Sequence, residues 1–74
     1  MRMNTEKYEF SHGKKPRGSG HWLFAITGSD GCGRYITELR KSSGTLSLAR
    51  KQAIYSFRSE IGSVKEIIEV EVMP

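Results

Sequence analysis

Large apolar residues recur at every second position along two stretches of the chain, as expected for strands that bury one face. Tyr8 and Phe10 alternate with polar residues at positions 7, 9 and 11, and a second alternation runs from Trp22 to Ile26. A third stretch, residues 34–40, contains Tyr, Ile and Thr, which favour strands. The pattern therefore predicts three strands in the first half of the chain.

Glycine, proline and serine separate these strands. Residues 12–20 have the sequence HGKKPRGSG, and one proline with three glycines predicts a loop that closes a first hairpin. Residues 28–33 contain three more glycines and predict the turn of a second hairpin. The sequence SSGT at residues 42–45 then breaks the strand pattern.

The apolar period changes to that of a helix over about residues 47–61. The residues that recur at intervals of four are Ala49, Ala53, Phe57 and Ile61. Either Thr45 or Ser47 supplies the oxygen that caps the helix at its start, and Gly62 stands where a left-handed residue ends many helices. Residues 64–72 alternate again and predict a last strand.

These elements predict one small α+β domain that covers residues 1–74. The expected architecture is a four-stranded, mostly antiparallel sheet in β-β-β-α-β order, with one helix packed on one face. If the second hairpin turns about residues 30–31, Tyr35 faces Ile26, and paired residues share a face of the sheet. The side chains expected beneath the helix are Tyr8, Phe10, Trp22, Phe24, Ile26, Tyr35 and Leu39.

The opposite face of the predicted sheet is open and mixed in character. Its expected members are Lys7, Glu9, His21, Leu23, Ala25, Arg34, Ile36, Glu38 and Arg40, with Ile67, Glu69 and Glu71 from the last strand. Within it, Leu23, Ala25 and Ile36 form a small apolar island with a charged rim.

Composition narrows the class of protein further. The chain has 74 residues, of which 36% are apolar, and a single cysteine, Cys32, so no disulfide within the chain can support a small core. The longest apolar run, from Trp22 to Ile26, is far shorter than the roughly 20 residues that span a bilayer. Neither a signal segment nor a membrane partner is expected, and a lone thiol fits a reducing, cytoplasmic compartment.

Catalytic and metal chemistry have little support in the sequence. His12, His21 and Cys32 are the candidate soft ligands, but they lack the spacing of a zinc site. None of the serines lies in a Gly-x-Ser-x-Gly motif, and a chain of this size is not expected to build a pocket of enzyme volume. The sequence therefore predicts a binding protein with no catalytic activity, metal or cofactor.

The distribution of charge gives the main functional hypothesis. Residues 1–41 carry eight basic and four acidic side chains, whereas residues 42–74 carry four of each, so the net charge of +4 belongs to the first part. Lys14, Lys15 and Arg17 lie together in the 12–21 loop, which contains no acid. Basic side chains supply most of the affinity for DNA or RNA phosphates. The other residues expected to extend this surface are Arg34, Arg40 and Lys7.

Residues 16–24 read Pro-Arg-Gly-Ser-Gly-His-Trp-Leu-Phe, and this stretch resembles one found in small uncharacterised proteins of phages and mobile elements. In those proteins a strand, a Gly-Thr helix start, an Ala/Lys-rich helix and a short last strand follow. Residues 44–45, 49–53 and 64–67 occupy the matching places here. The resemblance implies a bacterial or phage cytoplasmic setting and supplies no activity, although such proteins are often accessory factors that include inhibitors of host defence.

A protein-binding module is the alternative hypothesis. Its contact surface is the island of Leu23, Ala25 and Ile36, because an apolar centre within a charged rim is common interface anatomy. The partner is then a host enzyme, in line with the resemblance, or a second copy of the chain.

Overall fold

Six elements follow one another in β-α-β-β-α-β order in the computed structural model of the protein, which describes residues 2–74. The elements are β1 (Arg2–Asn4), α1 (Glu6–His12), β2 (Ser19–Ser29), β3 (Tyr35–Thr45), α2 (Leu46–Glu60) and β4 (Glu66–Val72). The predicted α+β class and a sheet of four strands are confirmed, but one predicted strand is a helix, and residues 2–74 contain two helices. Neither helix is long and apolar enough to cross a membrane.

The four strands form one mixed sheet in the order β1-β4-β2-β3. β2 lies at the centre and pairs antiparallel with both β3 and β4, while the short β1 pairs parallel with the outer side of β4. The predicted β-β-β-α-β order with mostly antiparallel neighbours is therefore wrong in topology. The strand predicted around Tyr8 and Phe10 is absent, and β1 takes the edge position beside β4.

The predicted first strand around Tyr8 and Phe10 is the helix α1. Glu6 and Glu9 lie in its first turn, where their carboxylates interact favourably with the positive end of the helix dipole. Gly13 ends the helix in the left-handed conformation (φ 70°), and its N–H donates to the carbonyl of Glu9. Phe10, expected in the core, is 93% exposed. Two aromatic residues two positions apart were thus insufficient evidence for a strand.

The register of β2 and β3 differs from the prediction by an odd number of residues. Ile26 pairs with Glu38, three residues beyond the predicted partner Tyr35. The connection spans residues 30–34, and the Asp30 carboxylate accepts hydrogen bonds from the backbone N–H groups of Cys32 (2.7 Å) and Arg34 (3.2 Å). This Asx-type turn moves the hairpin end away from residues 30–31, and an odd shift exchanges the two faces of a strand.

Five residues of β3 change sheet face as a result. Tyr35 and Leu39, expected beneath the helix, are 67% and 57% exposed. Ile36 pairs with Gly28 and packs against the core instead of joining the open island. Leu23 and Ala25 do lie on the face opposite Trp22 and Phe24, as their alternation in a strand requires. Glu38 and Arg40 share the face of Ile36, so they lie on the helix side.

The helix α2 covers the core face of the sheet. Its buried residues are Ala49, Ala53 and Phe57, which confirms the predicted helical period. Thr45 is the N-cap and accepts a hydrogen bond from the Leu48 N–H at 3.3 Å. The predicted break at residues 42–45 is wrong, since β3 continues to Thr45 beside the start of β2. The predicted left-handed cap at Gly62 is also wrong, because the helix ends at Glu60, its C-cap is Ile61 with a φ of −115°, and the φ of Gly62 is not positive.

The side chain of Phe57 packs directly over Gly28 in β2. A Cβ atom at Gly28 would lie 2.9 Å from Cε1 of Phe57 and 2.7 Å from Cγ1 of Val64. The register between β2 and β4 shifts between Thr27 and Gly28, and Ile67 is consequently buried on the helix side. Its expected place on the open face is therefore wrong, and Gly28 belongs to the core and not to a turn.

Replacing Gly28 with alanine should destabilise the domain by about 1–3 kcal/mol, because the added methyl group has no room beneath Phe57. Gly20→Ala is the matched control in the same strand, since nothing lies within 4 Å of its added Cβ. Urea unfolding of both variants measures the difference. Equal stability of the two variants would contradict the close packing of α2 on β2.

Two aspartate substitutions in β3 test the faces of the sheet. Ile36→Asp should cost about 2 kcal/mol or more, because it buries a carboxylate against the core. Leu39→Asp should change the free energy of unfolding by no more than about 0.5 kcal/mol, because Leu39 is largely exposed. The opposite order of stabilities would show that the β2–β3 register is off by an odd number of residues.

Candidate functional site

An open groove lies where α1 and the 13–18 loop meet the start of β2 and the end of β3. Its volume is about 770 Å³, within the usual range for small-ligand sites. The expectation that so short a chain builds no pocket of this size is therefore wrong. The groove exists because β2 is longer than β4: Val72 pairs with Phe24, the Met73 N–H donates to the Leu23 carbonyl at 2.8 Å, and β2 extends further without β4.

Three ring side chains form a column along one wall of the groove. Trp22 is buried, and its indole N–H donates to the carbonyl of Gly44 at 3.1 Å, which fixes the ring. Tyr8, from α1, lies 5.7 Å from Trp22 between ring centroids. His12, one helical turn later, stacks on Tyr8 with 4.1 Å between centroids and 20° between planes. His12 itself is exposed.

The charged side chains that line the groove are all basic or imidazole groups. Arg17 comes from the loop and Lys41 from β3, and the two histidines are His12 and His21. Among the residues that the structure describes, no Asp or Glu side chain lines the groove. The ion pairs within residues 2–74 use Lys7 and Arg40 as their cations, so Arg17 and Lys41 are in none of them. Within residues 2–74, the basic side chains of the groove are therefore paired with no acidic side chain, and Met73 and Pro74 also belong to the lining.

The six predicted nucleic-acid contacts lie in several parts of the molecule. Lys14, Lys15 and Arg17 are exposed in the loop beside the groove, although that loop joins α1 to β2 and closes no hairpin. Lys7 lies on α1, where its Nζ is 3.4 Å from a carboxylate oxygen of Glu71. Arg34 lies in the turn before β3, at the end of the sheet remote from the groove.

Arg40 is unsuited to the predicted contact. Its guanidinium lies 2.7 Å from the Glu38 carboxylate and 2.6 Å from that of Glu60, on the α2 side of the sheet. The side chain is 20% exposed, so the two carboxylates already compensate a mostly buried charge. Its placement on the open face was wrong for the same reason as that of Ile36, namely the odd shift in register.

Sequence reasoning missed Lys41 and the joint position of the two histidines. Lys41 pairs with Leu23 on the open side of the sheet, a position that becomes apparent only when β3 is extended to Thr45. His12 and His21 flank the basic loop in the sequence, and the structure brings both into the groove. No group of three potential metal ligands forms among residues 2–74.

The open face retains an apolar patch that differs from the predicted island. Leu23 and Ala25 remain in it, Leu39 pairs with Ala25, and Tyr35 lies further along the same face. Ile36 does not belong to it. β3 is also an edge strand of the sheet, so one side of its backbone has no partner strand.

None of the family models, curated proteins or solved structures compared with the chain matches it. The function therefore has to be inferred from the chemistry of the groove and of the open face.

Proposed function

We propose that the protein is a small binding protein that associates with nucleic acid through the phosphate backbone. The observation that carries this proposal is the groove, where Arg17 and Lys41 meet two histidines with no carboxylate side chain beside them. Lys14 and Lys15 extend this positive surface along the exposed loop. Fixed positive charges at the mouth of a concave site concentrate polyanions and release their counterions on binding.

Weak sequence specificity is part of the proposal. Lys and Arg on a loop position a phosphate backbone but carry no base information by themselves. The proposed contact leaves out Lys7, Arg34 and Arg40, since Lys7 and Arg40 are ion-paired and Arg34 is remote from the groove.

We also propose binding without catalysis, because no carboxylate side chain among the described residues lines the groove to orient a histidine as a base. A reducing, cytoplasmic setting fits the free, exposed thiol of Cys32.

Neutralising the loop tests this proposal. The test uses a triple variant that combines Lys14→Gln, Lys15→Gln and Arg17→Gln. It should flatten the slope of log affinity against log salt concentration by about 2 to 3, since each phosphate contact contributes somewhat less than one unit to the slope. Fluorescence anisotropy with labelled DNA at several salt concentrations measures the slope.

A variant of equal net charge serves as the control. Lys51→Gln, Arg58→Gln and Lys65→Gln remove three exposed cations outside the groove and should leave the slope close to that of the wild type. An equal loss of slope in both triple variants would overturn the loop assignment. Absence of wild-type binding at low salt would overturn the nucleic-acid proposal itself.

A protein partner on the open face is the second candidate function. It is favoured by the exposure of Leu39 and Tyr35, two large side chains on one face beside Leu23 and Ala25. Exposed aromatic and aliphatic side chains in one patch are typical of protein interfaces. The partner is then a second copy of the chain or a host protein, and β3 offers a free edge for strand addition.

Leu39→Asp should convert any self-associated form to monomer, because it buries an unpaired carboxylate in the interface while the fold tolerates it. Sedimentation of the wild type and the variant over a range of concentrations provides the measurement. Leu48→Asp is the control, since Leu48 is similarly exposed but lies on α2. A wild type that stays monomeric at all concentrations would rule out the homodimer.

A further inference from the structure

The column of rings beside the groove consists of Trp22, Tyr8 and His12, and it ends at the exposed imidazole of His12. Trp22 is buried and lies next to Tyr8, and Tyr8 has His12 stacked on it at 4.1 Å. The Tyr8 ring is tilted by 44° from that of Trp22, so only His12 and Tyr8 are stacked, and the Tyr8–Trp22 contact anchors this pair to the core. His12 is exposed and lines the groove, so one more flat ring can continue the column on its outer side.

The charged side chains of the groove indicate which chemical groups a ligand with such a ring would also carry. Arg17 and Lys41 line the same cavity as His12, and Ser43 adds a hydroxyl group on the same face of β3 as Lys41, whereas the Ser42 hydroxyl donates to Oε1 of Gln52. A ligand that combines a flat ring with adjacent phosphates satisfies both parts of the lining, and a nucleotide is that ligand. Histidine and other ring side chains bind unpaired bases by stacking.

The shape of the groove distinguishes single strands from duplexes. The bases of a duplex are stacked on one another and read by elements that protrude into its grooves. Here the ring column lies in a concave site between α1 and the sheet, which a single unpaired base can enter. The volume of about 770 Å³ suits one or two nucleotides of a strand whose remaining phosphates follow the basic loop.

We propose that the groove binds single-stranded nucleic acid by stacking one base on His12, with the neighbouring phosphates held by Arg17 and Lys41. This inference rests on the proposed association with nucleic acid and adds its strand type and its stacking residue. Tyr8 acts as a positioning residue, because it holds the imidazole ring against the column and is itself covered by His12 on one side.

The test compares two oligonucleotides of equal length and charge. One is oligothymidylate of about eight nucleotides, within the usual site size of single-strand binding domains. The other is the abasic oligonucleotide, which keeps the phosphates and lacks every base. The wild type should bind the base-bearing strand at least about fivefold more tightly, the lower end of what one stacked base contributes.

Substitution of His12 identifies the stacking residue. His12→Ala should remove the preference, so that the variant binds the base-bearing strand no more tightly than the abasic strand. His12→Phe should retain the preference, since it keeps a flat ring in place. Phe10→Ala is the matched control on the same helix, because Phe10 is 93% exposed and outside the groove. Circular dichroism of each variant verifies that α1 and the fold persist.

The outcomes separate this inference from the function on which it rests. Equal wild-type affinity for both strands, with a steep salt dependence, would overturn base stacking and leave phosphate binding intact. Tighter binding of a duplex of the same sequence would overturn the single-strand assignment, as would equally tight binding of thymidine monophosphate. If the wild type binds neither strand at low salt, the proposed association with nucleic acid fails as well.

Discussion

All eleven residues of β2 pair with β3, and the register of these pairs determines the chemical character of both faces of the sheet. With Leu23 opposite Lys41 and Phe24 opposite Arg40, two adjacent cations of β3 have opposite roles. Arg40 faces α2 and forms ion pairs with Glu38 and Glu60, whereas Lys41 faces away and lines the groove. A shift of one pair would exchange these roles and place Leu39 beneath the helix.

The second constraint is the difference in length between the strands. β4 has seven residues and β2 has eleven, so the first residues of β2 have β3 on one side and no strand on the other. α1 approaches this segment through the contact of Tyr8 with Trp22, and the groove remains between them. The groove thus arises at the point where the sheet is incomplete, since main-chain groups of β2 there are not used by a strand on the side of β4.

Sequence periodicity predicted those elements in which buried residues recur at a regular interval along the chain. The spacing of Ala49, Ala53 and Phe57 predicted α2, and the alternation from Trp22 to Ile26 predicted the core strand. The register of β3 could not be predicted, because it depends on how many residues the Asp30 turn contains. The basic loop was recognised from its composition, but the groove was not, since it requires Lys41 and α1 to meet in space.

The short helix α1 forms one wall of the groove, and it has the weakest support in the fold. It has seven residues, none of them buried, and it is held by the three-residue β1, by the Tyr8–Trp22 contact and by the ion pair of the exposed Lys7 with Glu71. Helices of this length are unstable alone, so this segment can open locally at a fraction of the global free energy of unfolding. Hydrogen exchange should therefore be fast in α1 and slow in β2. For the proposed binding, the apparent affinity of the groove is its intrinsic affinity multiplied by the fraction of molecules whose α1 is closed.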